Sequence, residues 1–167
     1  LGLIFFSTNS TKIFDTNNPL FLVRSFINFS SHEHPVLSHA FEFVKEVNGI
    51  KFINDSKATN VIAVRAALES IDSPIILIMG GYDKGNNYEP LIELIQSKVK
   101  KVILLGASTQ IIRNSLPTDI VTLNTANMTA AVHLAYEHSE PGDTVLLSPA
   151  NASFDMFENY QERGHAF

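Results

Sequence analysis

Short apolar runs alternate with helix-like segments through the second half of the chain, and this alternation restricts the possible folds most. The apolar runs are PIILIMG, KVILLG, DIVTLN and DTVLLSP. Each is followed by a segment suited to a helix: EPLIELIQSKV, STQIIRNSL, TANMTAAVHLAYEHS and SFDMFENYQERG, respectively. Apolar strands separated by helices are typical of a parallel sheet that helices cover on both faces. We therefore predict an α/β fold with a Rossmann-like, mostly parallel sheet.

A β-hairpin is predicted to open this sheet. Two alternating runs, FEFVKEV and IKFIND, flank Asn48-Gly49, a dipeptide that favours the positive φ angles of a two-residue type I′ turn. The next segment has apolar residues at spacings of three, four and three, which predicts a helix with one buried stripe. The stripe residues are Val61, Val64, Leu68 and Ile71, and Arg65 and Glu69 lie four apart on the outer side, where they can pair.

The composition changes near residue 37. Residues 1–36 are rich in turn-forming residues, with one short amphipathic helix expected in LFLVRSFINF. We expect residues 1–36 to be a linker or the tail of a preceding domain, and residues 37–167 to form the α/β domain. The sequence does not begin with Met, which indicates a fragment of a longer protein.

The overall composition disfavours several classes of function. A net charge of −5 argues against a nucleic-acid-binding surface, which needs clustered Lys and Arg. The absence of cysteine excludes disulfides and thiolate metal sites. His32, His34 and His39 have only Glu33 beside them, so we expect no metal site there. Every apolar run is far shorter than the roughly 18 residues that a membrane-spanning helix needs, so no membrane partner is expected.

Polar residues concentrate where the predicted strands end. The segments NDSKATN, GGYDKGNNY, GAST and SPANAS each follow a strand, whereas SIDS and SEPGD, at the opposite edge, resemble ordinary turns. Ligands of open α/β sheets bind outside the carboxyl ends of the strands. The sequence therefore predicts a binding site at this edge.

Some of these polar residues also have structural explanations. Thr59 or Asn60 can cap the helix that begins near Val61, and Ser153 can cap the final helix. Lys84, within a glycine-rich segment, suits a flexible loop with a solvated cation. Lys57 is harder to explain structurally, because the helix dipole disfavours a cation near a helix N-terminus unless an anion binds there too.

Three segments, in order, resemble one known family. INDSKATN, GGYDKGNNY and DTVLLSPANASFDMFENYQERGHAF are similar to the C-terminal domain of the Mur ligase family, in its UDP-N-acetylmuramoyl-L-alanine:D-glutamate ligase branch. The resemblance covers residues 37–167. The Asp-Asn-Pro-Arg signature of the diaminopimelate-adding ligases is absent, which favours D-glutamate.

The resemblance implies a cytoplasmic, ATP-dependent ligase of peptidoglycan precursor synthesis. In this family ATP, with Mg2+, phosphorylates the carboxylate of UDP-MurNAc-L-alanine. The amine of D-glutamate then attacks the acyl phosphate, and ADP and phosphate leave. The family's central domain holds most of the nucleotide and the Mg2+, and the C-terminal domain closes over it carrying the amino-acid site.

The resemblance also implies a role for individual residues. Asp55 and Lys57 would face the nucleotide, with Lys57 as the catalytic cation near the transferred phosphoryl group. The carboxylates of D-glutamate would be held by Thr59, Lys84 and Ser153, and the pocket would be lined by Phe154 and Tyr160.

The chain departs from the family pattern at two positions. It reads His39-Ala40-Phe41-Glu42 where the family usually has His-Arg-(Leu/Phe)-Glu, so a cation expected near the nucleotide is missing. Asn151 stands where cysteine is common, and we expect little consequence from that change. Because the phosphate-binding loop and the UDP-sugar domain are not in this sequence, we expect the chain alone not to turn over.

Two other functions can be weighed from the sequence. A stand-alone module that binds a nucleotide or an acidic amino acid without catalysis would use the same cations, Lys57 and Lys84. A dinucleotide-dependent oxidoreductase is disfavoured, since no G-x-G-x-x-G follows any predicted strand.

Overall fold

Six strands form a single sheet in the computed structural model, which describes residues 38–167. The strands are β1 (Glu42–Val47), β2 (Ile50–Asn54), β3 (Ile75–Gly80), β4 (Val99–Leu105), β5 (Thr122–Asn124) and β6 (Thr144–Ala150). Their spatial order is β1-β2-β6-β3-β4-β5. The β1–β2 pair is antiparallel and the other pairs are parallel. The predicted α/β class and mostly parallel sheet are confirmed.

Five α-helices accompany the strands in the described part of the chain. They are α1 (Val61–Ser70), α2 (Ile92–Lys98), α3 (Thr109–Ser115), α4 (Met128–Glu137) and α5 (Tyr160–Ala166), with a 3-10 turn at Glu89–Leu91. None of these helices has the length and apolar character needed to cross a membrane. The expectations for residues 1–36, including the short helix and the His32–His34 pair, lie outside the described residues.

The hairpin is confirmed at Asn48-Gly49. Both residues have positive φ, 52° and 79°, and Val47 pairs directly with Ile50 across the two-residue turn. The hairpin places β2 beside β6, where it runs parallel to the rest of the sheet. The last residues of β2 therefore end at the same edge as those of β6 and β3.

Helices cover both faces of the sheet. On one face, Val64, Leu68, Ile95 and Ile112, from α1, α2 and α3, pack in one apolar cluster. On the other face, α4 contributes Met128, Ala131 and Ala135 to a second cluster. Every residue of β3 is buried, and each fully buried aliphatic side chain stabilises the fold by about 1.5–3 kcal/mol. The sheet edge that carries the loops is thus fixed by packing on both sides.

Helix α1 follows the sequence prediction closely. Its apolar stripe is buried, and Arg65 Nε lies 2.9 Å from Glu69 Oε1 on the outer side. The capping residue is Asn60, whose side chain accepts a hydrogen bond from the Ala63 N–H at 2.9 Å. Thr59 is therefore released from a capping role.

The final helix is shorter than predicted, and the assignment of Ser153 as its N-cap is wrong. Helix α5 begins at Tyr160, and its cap is Asn159, whose side chain accepts from the Glu162 N–H. Residues 153–159 form turns instead, in which the Ser153 carbonyl accepts from the N–H groups of Met156 and Phe157. The carboxylate of Asp155 binds the Ala107 N–H at 2.7 Å, which ties this segment to a neighbouring loop.

We predict that Gly80→Ala destabilises the domain far more than Gly85→Ala. Gly80 has φ of 136°, and a Cβ there would overlap the backbone carbonyl of Leu105, so overpacking of about 1–3 kcal/mol adds to the backbone strain. Gly85 has φ of 83° but open space around a Cβ, so only the left-handed strain of about 1–2 kcal/mol applies. Urea denaturation of both variants measures the difference. Equal midpoints would contradict the close packing of Gly80 against Leu105.

Candidate functional site

The loops that follow β2, β3, β4 and β6 meet at one edge of the sheet, which we call the rim (residues 55–60, 81–88, 106–108 and 151–160). Main-chain hydrogen bonds join them: Ala150 N–H donates to Ala58 O at 3.0 Å, and Tyr82 N–H to Ala152 O at 2.8 Å. The Ser108 N–H donates to Gly81 O at 2.9 Å. The polar segments predicted to converge therefore do so.

Two lysines project from the rim. Lys57 and Lys84 are both exposed, and neither Nζ makes a hydrogen bond to any residue in the 38–167 region. Lys84 Nζ lies 5.9 Å from the ring centroid of Phe154, which is 69% exposed. A cation over an aromatic face at this distance is weakly attracted to it. Lys84 and Phe154, predicted to share a site, are thus neighbours.

The lysine at position 84 extends from a braced turn rather than from a loose loop. Asp83 accepts hydrogen bonds from the N–H groups of Gly85 at 3.0 Å and Asn86 at 3.3 Å. Tyr88, only 1% exposed, places its hydroxyl 2.9 Å from Asp83 Oδ1. Burial raises the pKa of Tyr88 to about 12, so this hydroxyl keeps its proton and can donate. The order Asp-x-Gly-Asn is an Asx-turn signature that could have predicted this brace.

Asn151 is the centre of the network that holds these loops together. The residue is fully buried. Its Oδ1 lies 2.7 Å from Asn86 Nδ2 and 3.0 Å from the Tyr88 hydroxyl, and its Nδ2 donates to Ser108 Oγ at 3.1 Å. A cysteine thiol, a weak donor and acceptor, could not replace these bonds. The amide therefore joins three of the four rim loops.

Asp55 lies beside Lys57 but is engaged by the protein. Its side chain is buried, with Oδ1 accepting from the Phe41 N–H at 3.0 Å and Oδ2 from the Ser148 hydroxyl at 2.9 Å. Burial raises the pKa of Asp55 to about 7, even though the hydrogen bonds from Ser148 and Phe41 lower it in part. Its carboxyl group therefore changes charge near neutral pH, one residue removed from Ser56 and two from Lys57.

The remaining predicted site residues lie within the rim loops. Thr59 is partly exposed and precedes the cap of α1. Ser153 is 2% exposed, next to the exposed Phe154. Tyr160 begins α5, and its carbonyl accepts from the Ser56 hydroxyl at 2.8 Å. The structure thus brings the segment of Tyr160 against the segment of Lys57, while their roles toward ligands stay predictions.

The segment with the unusual Ala40 lies directly against the Asp55–Lys57 segment. The Lys57 N–H donates to His39 O at 2.9 Å, and Phe41 contacts Asp55 as described. His39 itself is buried, with its Nδ1 3.0 Å from Asn54 Nδ2, which also donates to Gly164 O at 2.9 Å. A longer side chain at position 40 would start from backbone adjoining the predicted nucleotide-facing residues.

Because the pKa of Asp55 is raised, we predict that the free energy of unfolding depends on pH in a way that Asp55→Asn removes. Below the ordinary pKa of 3.8, Asp55 is protonated in the folded and unfolded chains alike, and above about 7 it is ionised in both. In between, only the folded chain holds the proton, so its stability falls as the pH rises. The free energy of unfolding of the wild type, relative to Asp55→Asn, should therefore decrease from pH 4 to about pH 7. Urea denaturation at several pH values measures it, and a difference that does not change with pH would contradict the burial of an ionisable group.

The chain is similar in sequence to ligases of one kind. The family model for the Mur ligase, glutamate ligase domain matches residues 41–151. The UDP-N-acetylmuramoylalanine–D-glutamate ligase of Caldicellulosiruptor saccharolyticus is 47% identical over 152 residues, which is 89% of this chain and 33% of the relative. The enzyme of the same name from Caldicellulosiruptor bescii is 50% identical over 134 residues, 78% of this chain and 29% of that relative. The chain therefore spans about one third of the length of these relatives.

Solved structures share the fold at low sequence identity. The bifunctional folylpolyglutamate synthase/dihydrofolate synthase of Yersinia pestis, complexed with AMPPNP and Mn ion, aligns with a TM-score of 0.56 at 14% identity. The alignment covers 77% of this chain and 30% of that chain. A murein peptide ligase from Psychrobacter arcticus aligns with a TM-score of 0.51 at 14% identity, over 68% of this chain and 27% of that chain. The likeness to these structures concerns the fold, and the sequence match over residues 41–151 places the chain in the Mur ligase family, as its glutamate ligase domain.

Proposed function

We propose that this chain is the C-terminal, amino-acid-binding domain of an ATP-dependent ligase that joins D-glutamate to UDP-MurNAc-L-alanine. The reaction would proceed through an acyl phosphate, in the cytoplasm, as a step of peptidoglycan precursor synthesis. Residues 37–167 form the domain, and residues 1–36 connect it to a preceding part that supplies the phosphate-binding loop and the UDP-sugar site. The family match and the named relatives support the reaction class.

The observation that carries this proposal is a pair of exposed lysines on one rim, neither of which is bonded through its Nζ to any of residues 38–167. Lys57 and Lys84 put two positive charges on the rim of a chain whose net charge is −5, and Thr59 and Ser153 lie in rim loops as well. D-glutamate has two carboxylates and ATP has a polyphosphate, so both ligands need cations and oriented donors. Exposed lysines on the same edge of the sheet suit ligands of that charge.

Lys57 is assigned to the transferred phosphoryl group. It stands three residues before Asn60, the cap of α1, so its ammonium group and the free N–H groups of the first helical turn can hold one anion together. Phosphoryl transfer depends mainly on positioning and on neutralising the oxygens of the transferred group. Lys57 would supply that neutralisation, and Asp55 would keep the Lys57 segment in place through the Phe41 and Ser148 hydrogen bonds.

D-glutamate is assigned to the space between Lys84 and the 151–160 loop. Lys84 would bind one carboxylate, with Ser153 and Thr59 donating to the carboxylate oxygens. Phe154 and Tyr160 would contact the aliphatic carbons of the substrate. The proximity of Lys84 Nζ to the Phe154 ring, 5.9 Å, supports this assignment, because an amino acid with a charged side chain needs a charged and an apolar contact side by side.

The rim fits the anionic groups of ATP better than its metal ion. Among residues 38–167 no three His, Asp or Glu side chains converge in a way that could hold a metal ion, and both oxygens of Asp55 already accept hydrogen bonds. We therefore assign the binding of Mg2+ mainly to the preceding part of the ligase. No step on this domain is assigned to the ion.

Calorimetry of the chain with D-glutamate and ADP, alone and together, tests whether the rim binds these ligands. Assays of the complete ligase then test the reaction: phosphate release should require D-glutamate, ATP and UDP-MurNAc-L-alanine together. A binding module without catalysis would show ligand binding but no phosphate release. L-glutamate serves as the matched control for the substrate.

Lys84→Ala in the complete ligase should raise the KM for D-glutamate by about 10- to 100-fold, because a hydrogen bond to a charged group contributes about 1.5–3 kcal/mol. Initial rates at varied D-glutamate measure it. Lys45→Ala, which removes an exposed lysine from β1, is the control and should leave the KM unchanged. An unaltered KM in Lys84→Ala would remove Lys84 from the substrate site.

Lys57→Ala should lower kcat by about 10²–10³-fold, the usual loss when one preorganised charge-stabilising group is removed. The KM for D-glutamate should change little, since Lys57 is assigned to the phosphoryl group. Single-turnover measurement of phosphate release isolates the chemical step. Wild-type turnover in this variant would reject the phosphoryl role.

A further inference from the structure

A buried arginine joins two of the rim loops, the loop after β2 and the loop after β6. Arg163, on α5, is 2% exposed. Its Nε donates to Ser56 Oγ at 3.0 Å and its Nη2 to Ser56 O at 2.8 Å. Its Nη1 donates to Asn151 O at 3.0 Å. One planar guanidinium therefore fixes the loop after β2 relative to the loop after β6.

The two loops that Arg163 joins carry different parts of the proposed site. Ser56 directly precedes Lys57, which is assigned to the transferred phosphoryl group. Asn151 lies two residues before Ser153, which is assigned to D-glutamate. Any change in the guanidinium contacts would alter the distance between the phosphoryl-binding lysine and the amino-acid pocket.

The Ser56 hydroxyl makes this connection a closed ring of bonds. It accepts from Arg163 Nε and donates to the Tyr160 carbonyl at 2.8 Å, and Tyr160 begins the helix that carries Arg163. Arginine has the fork of donors that such a ring needs, whereas lysine has a single ammonium centre. The geometry thus demands arginine and not merely a positive charge.

The charge of Arg163 is not cancelled by a direct ion pair. Its three acceptors are neutral, and no salt bridge to it occurs within residues 38–167. Asp155 lines the same small cavity, of about 10 Å³, but its Oδ2 binds Ala107 and its buried Oδ1 has no partner among the described residues. Burying a charge without an ion pair is costly, which singles this residue out from an ordinary structural arginine.

We propose that Arg163 is a positioning residue that sets the distance between the nucleotide-facing loop and the D-glutamate loop. The inference rests on the proposed function for what the two loops bind, and on the guanidinium contacts alone for the connection itself. The proposal requires that Arg163→Lys, which keeps the positive charge but loses the fork of N–H donors, does not preserve the connection between the two loops.

The connection is tested by hydrogen–deuterium exchange on this chain. In Arg163→Lys, amides in residues 55–60 and in residues 151–157 should both exchange at least about tenfold faster, because both loops lose the same bond donor. Arg65→Lys, an exposed arginine on the outer side of α1, is the matched control and should leave both segments as in the wild type. Unchanged exchange in Arg163→Lys, or faster exchange in only one of the two loops, would overturn the proposal.

The effect on the reaction is tested in the complete ligase by varying each substrate separately. Arg163→Lys should raise the KM for D-glutamate and lower kcat, each by about tenfold, equivalent to roughly 1.4 kcal/mol. The KM for UDP-MurNAc-L-alanine, assigned to another part of the ligase, should not change. Loss of kcat with both KM values unchanged would indicate partial unfolding alone and would overturn the positioning role.

Ser56→Ala covers the case in which Arg163→Lys does not fold. It removes the bonds from Arg163 Nε and to Tyr160 O but keeps the two bonds to backbone carbonyls, and it should raise the KM for D-glutamate severalfold. A wild-type KM in this variant would overturn the proposal. If the wild-type ligase itself releases no phosphate with D-glutamate, the proposed function fails, while the exchange experiment still decides whether Arg163 connects the loops.

Discussion

The parallel pairing of β6 with β2 on one side and β3 on the other is the constraint on which the site depends. Because all three strands run in the same direction, their carboxyl ends meet at one edge, and the loops that follow them must share that edge. The hairpin at Asn48-Gly49 makes this possible by turning β2 into the direction of β6. Without that reversal, Lys57 would leave the sheet at the opposite edge from Lys84.

Two buried polar side chains convert this shared edge into a fixed arrangement. Asn151 links the Lys84 turn to the 106–108 loop, and Arg163 links the Lys57 segment to the main chain of Asn151. Polar groups in a low-dielectric interior are costly when unpaired and rigid when fully bonded. These bonds hold the rim loops in place without a ligand. The entropy cost of ordering the loops would therefore be smaller if a ligand bound there.

Local patterns predicted most of the fold, whereas the supports of the site depend on distant contacts. Short stretches of sequence are enough to predict the Asn48-Gly49 turn, the apolar stripe of α1 and the strands. The spacing of apolar and polar residues in the final segment fits a longer helix than α5, but Asp155 binds Ala107, 48 residues away in sequence. Arg163 and Ser56 are separated by 107 positions, and no local pattern connects them. The hydrogen bonds of Asn151 cannot be predicted locally either, because its partners lie in other loops.

Some charged side chains of the rim are exposed and others are buried, and exposed and buried charges affect the rim differently. Lys57 and Lys84 are exposed to water, and no hydrogen bond to residues 38–167 holds either Nζ. Arg163 cannot move without breaking three bonds, so its charge contributes to the field at the rim without competing for the ligand directly. Asp55 adds the opposite charge near Lys57 only when it is ionised, and burial shifts that ionisation to about pH 7. Below that pH the carboxyl is neutral, so the rim carries one negative charge fewer than it does above that pH.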